Sequence, residues 1–288
     1  MINKSTKEED EDWTLVIKPS SSLFDLQLKE VWRYRDLLQM FVRRDFIAVY
    51  KQTILGPIWF FLQPIFTTIT FTIVFGSIAG LSTNGVPPLL FYMAGIINWN
   101  YFSQCLTATS NTFTGNANIF GKVYFPRLIT PLSITVSNLL KYGVQFVLFI
   151  LLLCYYLFTS NIVQPNMYLL LVPFLIVLMA GLSLGFGMLI SAMTTKYRDV
   201  KFLLTFGIQL AMYATPVIYP LSTIPEKYKL LILANPMSSI IETFRYAFLG
   251  SGEFEWSYLG YSSLFTAVIV FLGIVVFNKV EKSFMDTV

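Results

Sequence analysis

The long apolar middle of this sequence lacks the carboxylate and imidazole side chains on which most acid–base and metal chemistry depends. The 288 residues include no histidine, and no aspartate or glutamate lies between Asp45 and Asp199. A hydrolase or glycosyltransferase needs a carboxylate pair, a metal site or a nucleophile with its base. A proton-coupled carrier usually needs a titratable group at membrane depth. The sequence therefore argues against both classes, while sodium coupling through backbone carbonyls stays open.

The sequence contains no phosphate-binding loop of its own. Its nearest approach, GNANIFGKV at residues 115–123, has five spacer residues where the motif has four, and Val123 stands where Ser or Thr is needed. The two cysteines lie in apolar stretches, where they are expected to act as small hydrophobic residues. We expect no metal and no cofactor on this chain. If ATP drives the protein, a partner subunit must bind ATP and magnesium.

One cation lies inside an apolar stretch. Lys141 is about ten residues into a predicted span, on the order of 15 Å at helical rise. It either lines a polar conduit and meets an anionic or hydroxyl-rich substrate, or it reaches carbonyls and polar neighbours such as Asn138. Aromatic side chains either stack on sugar rings in such a conduit or face lipid and neighbouring helices. The aromatic candidates are Phe60, Phe66, Tyr92 and Tyr213.

The elements that must position these residues are hydrophobic helices. Hydrophobic residues make up 55% of the chain and charged residues 12%, which is typical of an integral membrane protein. Six apolar stretches are close to the roughly 20 residues that a helix needs to cross a bilayer. They are residues 57–81, 89–113, 131–158, 168–193, 202–219 and 258–277. The predicted fold class is an all-α membrane protein with six transmembrane helices.

The orientation of these spans follows from charge. The loops after the second and fourth spans and the tail after the sixth carry lysine and arginine, whereas LSTNGVPP and TSNIVQPN carry no charge. By the positive-inside rule both termini are cytoplasmic. The first residues contain no apolar signal-peptide core. Topology thus explains the net charge of +4 better than a nucleic-acid partner does.

Residues 22–56 precede the first span and predict an amphipathic helix. Residues 1–21 are expected to be a disordered cytoplasmic tail, and residues 57–288 a single transmembrane domain. Ser22 and Asp25 have the spacing of a capping box. The helix either lies in the membrane interface or packs on another cytoplasmic part of the protein. Its apolar side comprises Phe24, Leu28, Val31, Trp32, Leu38, Val42 and Phe46.

The connection at residues 220–257 is longer than the others and nearly balanced in charge. Two semi-apolar pieces, separated by Asn235 and Pro236, are each too short to cross a bilayer. They predict a pair of short re-entrant or periplasmic surface helices.

Six segments resemble, in order, the motifs of one membrane-protein family. They are WRYRDLL (32–38), RDFIAVYKQTILGPIW (44–59), KVYFPRLITPL (122–132), KYRDV (196–200), TPVIYP (215–220), and NPM followed by FRYAFLG (235–250). The family is the transmembrane subunit of type 2 ABC exporters for polysaccharides and polyol phosphates. Its members include O-antigen, capsule and teichoic acid export permeases. The resemblance covers nearly the whole chain after residue 17.

The resemblance implies a pair of permeases, each receiving one ATPase subunit. It implies that residues 116–127 form the coupling helix, with Asn116, Phe120, Lys122, Tyr124, Phe125 and Arg127 as candidate contacts. It places the gate for a substrate diphosphate at Arg43, Arg44 and Lys51, which as an alternative only anchor the membrane surface. It places a periplasmic cap at Tyr228, Asn235, Pro236 and Arg245.

The expected function is export of a polyprenyl-diphosphate-linked polysaccharide, with O-antigen foremost, across the bacterial inner membrane. Capsule and teichoic acid export are alternatives within the family. The alternatives outside polysaccharide export are a lipid or drug efflux permease, an ion-driven flippase or channel, and a membrane-bound glycan-modifying enzyme.

Overall fold

The computed structural model describes residues 28–51, 56–160 and 162–284. Every regular element in these ranges is a helix. The helices are α1 (Leu28–Arg33), α2 (Arg35–Tyr50), α3 (Trp59–Phe71), α4 (Pro88–Ser110), α5 (Thr112–Phe120), α6 (Ile129–Thr159), α7 (Val172–Thr194), α8 (Val200–Ala214), α9 (Glu226–Leu233), α10 (Pro236–Leu249) and α11 (Trp256–Phe284). The predicted all-α class is confirmed.

Within the described residues, four helical stretches are long and apolar enough to cross a membrane. They are Gly56–Ile78, which contains α3 and a π-helical end, Ile129–Thr159, Met167–Thr194 and Trp256–Glu281. The two other predicted spans correspond to α4 and α8. The 23-residue α4 is long enough but rich in polar residues, and α8 is a shorter apolar helix of 15 residues.

The polarity of α4 follows from its position at the centre of the bundle. It packs against α3, α6, α7 and α10, and most of its residues are buried. Its Asn98 amide donates to the Ala94 carbonyl, and its Asn98 Oδ1 accepts a hydrogen bond of 3.0 Å from the Tyr142 hydroxyl of α6. Because protein rather than lipid surrounds this helix, polar side chains find partners there.

Two glycines bring α7 and α11 close together. A Cβ at Gly273 would lie 2.7 Å from the carbonyl oxygen of Gly185, and one at Gly185 would lie 2.8 Å from the Ile269 side chain. Small residues allow this close approach of two backbones, which strengthens van der Waals packing where lipid provides no hydrophobic driving force.

The predicted span at residues 202–219 is too long. The α8 helix ends at Ala214, and Thr215 is extended with φ −104° and ψ 145°. The next residue, Pro216, disfavours helical geometry at Thr215. Residues 215–218 then run through the interior as a buried, irregular segment.

The N-terminal segment contacts the rest of the protein through α2, which packs against α6. Ser22, Phe24 and Asp25 lie outside the described residues, and α1 and α2 meet at a turn at Tyr34. Phe41 is buried and packs edge-on against Phe125, with ring centroids 5.7 Å apart. Trp32, placed on the apolar side by its sequence position, is 71% exposed.

Candidate functional site

The segment between α4 and α6 is helical over only part of the predicted coupling helix. The α5 helix runs from Thr112 to Phe120, and residues 121–128 are turns and irregular chain. Asn116 lies within α5 and donates from its amide to the Thr112 carbonyl at 2.9 Å. The expectation of a helix through residue 127 was therefore wrong in length, because the helix ends in a turn at Gly121.

Two of the expected docking aromatics belong to the interior. Phe120 and Phe125 are 3% and 4% exposed and pack with Phe41 and Phe113. Phe113 in turn stacks on Phe277 of α11, with ring centroids 4.5 Å apart. Side chains buried in this way cannot anchor a partner without leaving the core.

The exposed part of the segment is the turn that follows α5. Lys122 is exposed, and Val123 and Tyr124 are 57% and 62% exposed. Partial burial raises the pKa of the Tyr124 hydroxyl above its usual value, so this residue presents a neutral phenol at physiological pH. Together these three side chains form a small amphipathic knob, hereafter the 122–124 knob.

Arg127 is held inside the protein by the end of α11. Its Nη1 donates to the Glu281 carbonyl oxygen at 2.8 Å, and its Nε lies 3.8 Å from Glu281 Oε1. The guanidinium also lies over the Phe120 ring, 5.3 Å from its centroid. Burial lowers the pKa of Arg127, and the Glu281 carboxylate opposes that shift. Arg127 is therefore a buried residue that joins this segment to the end of α11, whereas the resemblance implied a contact with the ATPase.

The three gate candidates differ in how much charge they present. Arg44 binds Asp45 of the same helix, with Nη2 2.7 Å from Oδ1, and lies over the Phe41 ring. All three side chains are exposed. Because the charge of Arg44 is balanced by Asp45, Arg43 and Lys51 supply most of the accessible positive charge just before residue 56.

The conduit aromatics divide into two buried and two exposed residues. Phe60 is buried and stacks with Phe46 at 5.7 Å between centroids. Tyr92 is fully buried in the core. Phe66 and Tyr213 are 58% and 54% exposed on α3 and α8. Only the exposed pair is accessible from outside this chain.

Lys141 lines a pocket between helices. Its ammonium donates to Asn138 Oδ1 at 3.2 Å, and the pocket has a volume of about 420 Å³. The Asn138 contact that the sequence offered as one alternative is therefore present, and the role of Lys141 in a conduit stays a prediction.

Arg245 of α10, one of the predicted cap residues, has no exposed surface. Its Nη1 donates to the Pro216 carbonyl at 2.5 Å and to Glu242 Oε1 at 3.2 Å. Its Nη2 donates to the Val217 carbonyl at 2.6 Å. The guanidinium lies 3.7 Å from the centre of the Phe91 ring. Sequence reasoning missed the role of Glu242, although its spacing of three residues from Arg245 was the available signal.

The network continues through the chain between α8 and α11. Glu242 Oε2 accepts from the Glu253 backbone amide at 3.2 Å, and the Glu253 side chain pairs with Lys229 of α9. Asn235 starts α10 by accepting from Met237 N at 3.0 Å, and Pro236 occupies the first turn. Tyr228, on α9, is 52% exposed. Among the predicted cap residues, Asn235 and Arg245 therefore stabilise this region through hydrogen bonds within the protein.

Helices that are long and apolar enough to cross a membrane, gathered around a buried central helix, define an α-helical integral membrane protein. The chain belongs to the ABC-2 type transporter family, whose sequence model matches residues 36–249. It is therefore a permease component of the type 2 ABC exporters, and the resemblance seen in its motifs is confirmed.

Characterised relatives match most of the chain. It is 26% identical over 251 residues to the O-antigen export system permease protein RfbA of Klebsiella pneumoniae. This alignment covers 87% of this chain and 94% of that protein. A Myxococcus xanthus protein of the same name is 26% identical over 224 residues, covering 77% and 83%. The polysialic acid transport protein KpsM of Escherichia coli is 22% identical over 234 residues, covering 81% and 89%.

Proposed function

We propose that this protein is the membrane permease of an ATP-driven exporter that moves a polyprenyl-diphosphate-linked polysaccharide, foremost O-antigen, across the bacterial inner membrane. The observation that carries the proposal is the match to O-antigen export permeases over almost their entire length. The similarity to a polysialic acid transporter supports capsule export as the second candidate.

In this proposal the working unit has two copies of the chain and two ATPase subunits that bind ATP and magnesium. Each copy crosses the membrane six times, with α4 and α8 added to the four most apolar stretches. Both termini face the cytoplasm, in accord with the basic loops that follow α5 and precede α8.

The ATPase meets the permease at the 122–124 knob. Val123 and Tyr124 offer exposed apolar surface, and Lys122 offers positive charge for an acidic rim. A cavity of about 260 Å³ adjoins the knob and extends to Arg127. Asn116, Phe120, Phe125 and Arg127 support this surface from within the α5–α6 segment.

The lipid-linked diphosphate is drawn to Arg43 and Lys51, whose charges are exposed before the first span. Arg44 positions Asp45 beside them.

At the other side of the membrane α9 and α10 form two short re-entrant helices, which cover the outlet and are held in place by Arg245. Phe66 and Tyr213 line the glycan path between the two copies.

The test is a deletion of this gene, with glycan measured on the cell surface and lipid-linked polymer measured in the inner membrane. We expect a bare surface and accumulated internal polymer, whose sugars distinguish O-antigen from capsule or teichoic acid. Restoration of both pools by a plasmid copy is the control. Unchanged pools would contradict polysaccharide export and favour a lipid or drug efflux permease.

A further inference from the structure

We propose that the Lys141 pocket is a binding site for sugar units that carry negative charge, such as uronic acids or sugar phosphates within the exported glycan. This inference rests on the proposed export function. The pocket lies between α4, α6 and α8, and its volume of about 420 Å³ is in the range of small-ligand sites. Its lining is Ser103, Gln104, Thr107, Ala108, Asn111, Asn138, Lys141 and Ile208.

The first argument is the position of the charge. Lys141 is the sole charged residue in α6, which runs from Ile129 to Thr159. It lies twelve residues after Ile129, about 18 Å along the helix. A lysine at such depth is costly in lipid and normally faces a partner or a polar cavity. Here it faces a cavity.

The second argument is the unused hydrogen-bonding capacity of the ammonium group. Lysine has three N–H donors, and the described residues accept one, at Asn138 Oδ1. The Asn138 amide nitrogen donates to the Ile134 carbonyl at 2.9 Å, which turns its oxygen toward Lys141. The pocket therefore holds an oriented cation with donors left for a ligand.

The third argument is that the charge is not cancelled. Asp45 attracts Lys141 electrostatically, but Arg44 already binds Asp45 at 2.7 and 2.9 Å. These three groups together leave one net positive charge. In the part of the chain that the structure describes, no carboxylate lines the pocket or forms an ion pair with Lys141. An anion is the complementary ligand.

The opposite wall of the pocket carries polar side chains that can form hydrogen bonds with the hydroxyl groups of a ligand. Ser103, Thr107 and Asn111 follow one another at four-residue spacing on one side of α4. The Asn111 amide donates to the Thr107 carbonyl at 2.9 Å, and this leaves Asn111 Oδ1 as an acceptor. Gln104 adds an amide that can both donate and accept. Such a wall can form hydrogen bonds with a polyol, while the apolar majority of the pocket surface can pack on the C–H face of a sugar ring.

A second cavity beside it shows the contrast. Its volume is about 530 Å³, and Trp99, Phe102 and Phe186 are among its lining residues. Both cavities touch Ile208 of α8. None of the described residues that line the apolar cavity is charged. Discrimination by charge between glycans would therefore depend on Lys141.

The test measures oligosaccharide binding to the purified permease–ATPase complex in phosphatidylcholine nanodiscs. The acidic probe is a hyaluronan hexasaccharide and the neutral probe is maltohexaose. We expect wild type to bind the acidic probe more tightly, K141R to retain this preference and K141Q to lose about tenfold in affinity for the acidic probe, because a charge-assisted hydrogen bond is removed. K196Q, an exposed lysine in the loop before α8, is the matched control and should bind as wild type does.

Equal affinity of wild type for the two probes, or an undiminished affinity in K141Q, would overturn the proposal. Q104A changes the wall and keeps the charge, so it should weaken both probes; full binding there would also count against the site. A third arm adds phosphatidylglycerol to the nanodiscs. Displacement of the acidic probe by this lipid would assign the pocket to a lipid phosphate instead.

The export function is tested separately by the deletion strain. A bare surface together with unaltered K141Q binding rejects this site alone. An unchanged surface glycan rejects the export function itself.

Discussion

Arg245 Nη2 lies 2.6 Å from the carbonyl oxygen of Val217, so a buried cation on α10 holds the irregular chain that follows α8. That chain has carbonyl groups with no helical partner, and buried carbonyls need donors. Arg245 supplies two, while Glu242 balances its charge. The segment can therefore run through the interior without regular structure.

Loss of Arg245 should destabilise the protein severely. R245M leaves Glu242 buried without its ion-pair partner, which costs roughly 3–5 kcal/mol. We expect a large fall in the thermal unfolding temperature of the purified protein. The double variant R245M/E242Q removes the unpaired charge and should recover part of the loss. A double variant no more stable than R245M would show that the ion pair is not the source of the effect.

A methyl group at the α7–α11 contact should also destabilise. In G273A the new Cβ would lie 2.7 Å from the Gly185 carbonyl oxygen, so the helices must separate, at a cost of about 1–3 kcal/mol. G260A is the matched control in the same helix, because a Cβ there meets nothing within 4 Å. Thermal unfolding in detergent compares the two. Equal stability would mean that the helices are not in close contact.

The hydrogen bond between α4 and α6 should have a smaller effect. Y142F removes the donor to Asn98 Oδ1 and keeps the ring, and bonds of this kind within membranes average roughly 0.6 kcal/mol. We expect a small decrease in unfolding temperature with normal insertion. A loss as large as that of R245M would indicate a wider network around Asn98.

Coupling to the ATPase should depend on the 122–124 knob. K122E/Y124A changes two exposed side chains, so the permease should fold normally but lose the ATPase on co-purification. R127E should instead lower the unfolding temperature of the permease alone, because it places a carboxylate beside Glu281. Normal ATPase assembly in K122E/Y124A would contradict the placement of the docking surface.

Composition and hydrophobic length alone predict the class of fold, because a bilayer demands apolar helices. The end of α8 was misplaced, since hydropathy continues through Val217 and Ile218 while Pro216 breaks the helix. Contacts between residues that are distant in sequence could not be predicted either, because a local pattern does not specify them. Nothing local to residue 127 indicates that its guanidinium meets residue 281, or that Phe120 and Phe125 face inward. Exposure depends on tertiary packing, which no single helical pattern encodes.

The bond between Arg127 and the Glu281 carbonyl has a mechanical consequence. A load applied at the 122–124 knob travels along the chain into α6 and, through Arg127, into the last turns of α11. The first of these helices packs on α4 and the other on α7, so the load divides between two parts of the bundle. The end of α11 therefore restrains the segment that carries the knob, and a chain cut short before Glu281 would lose the contact with Arg127.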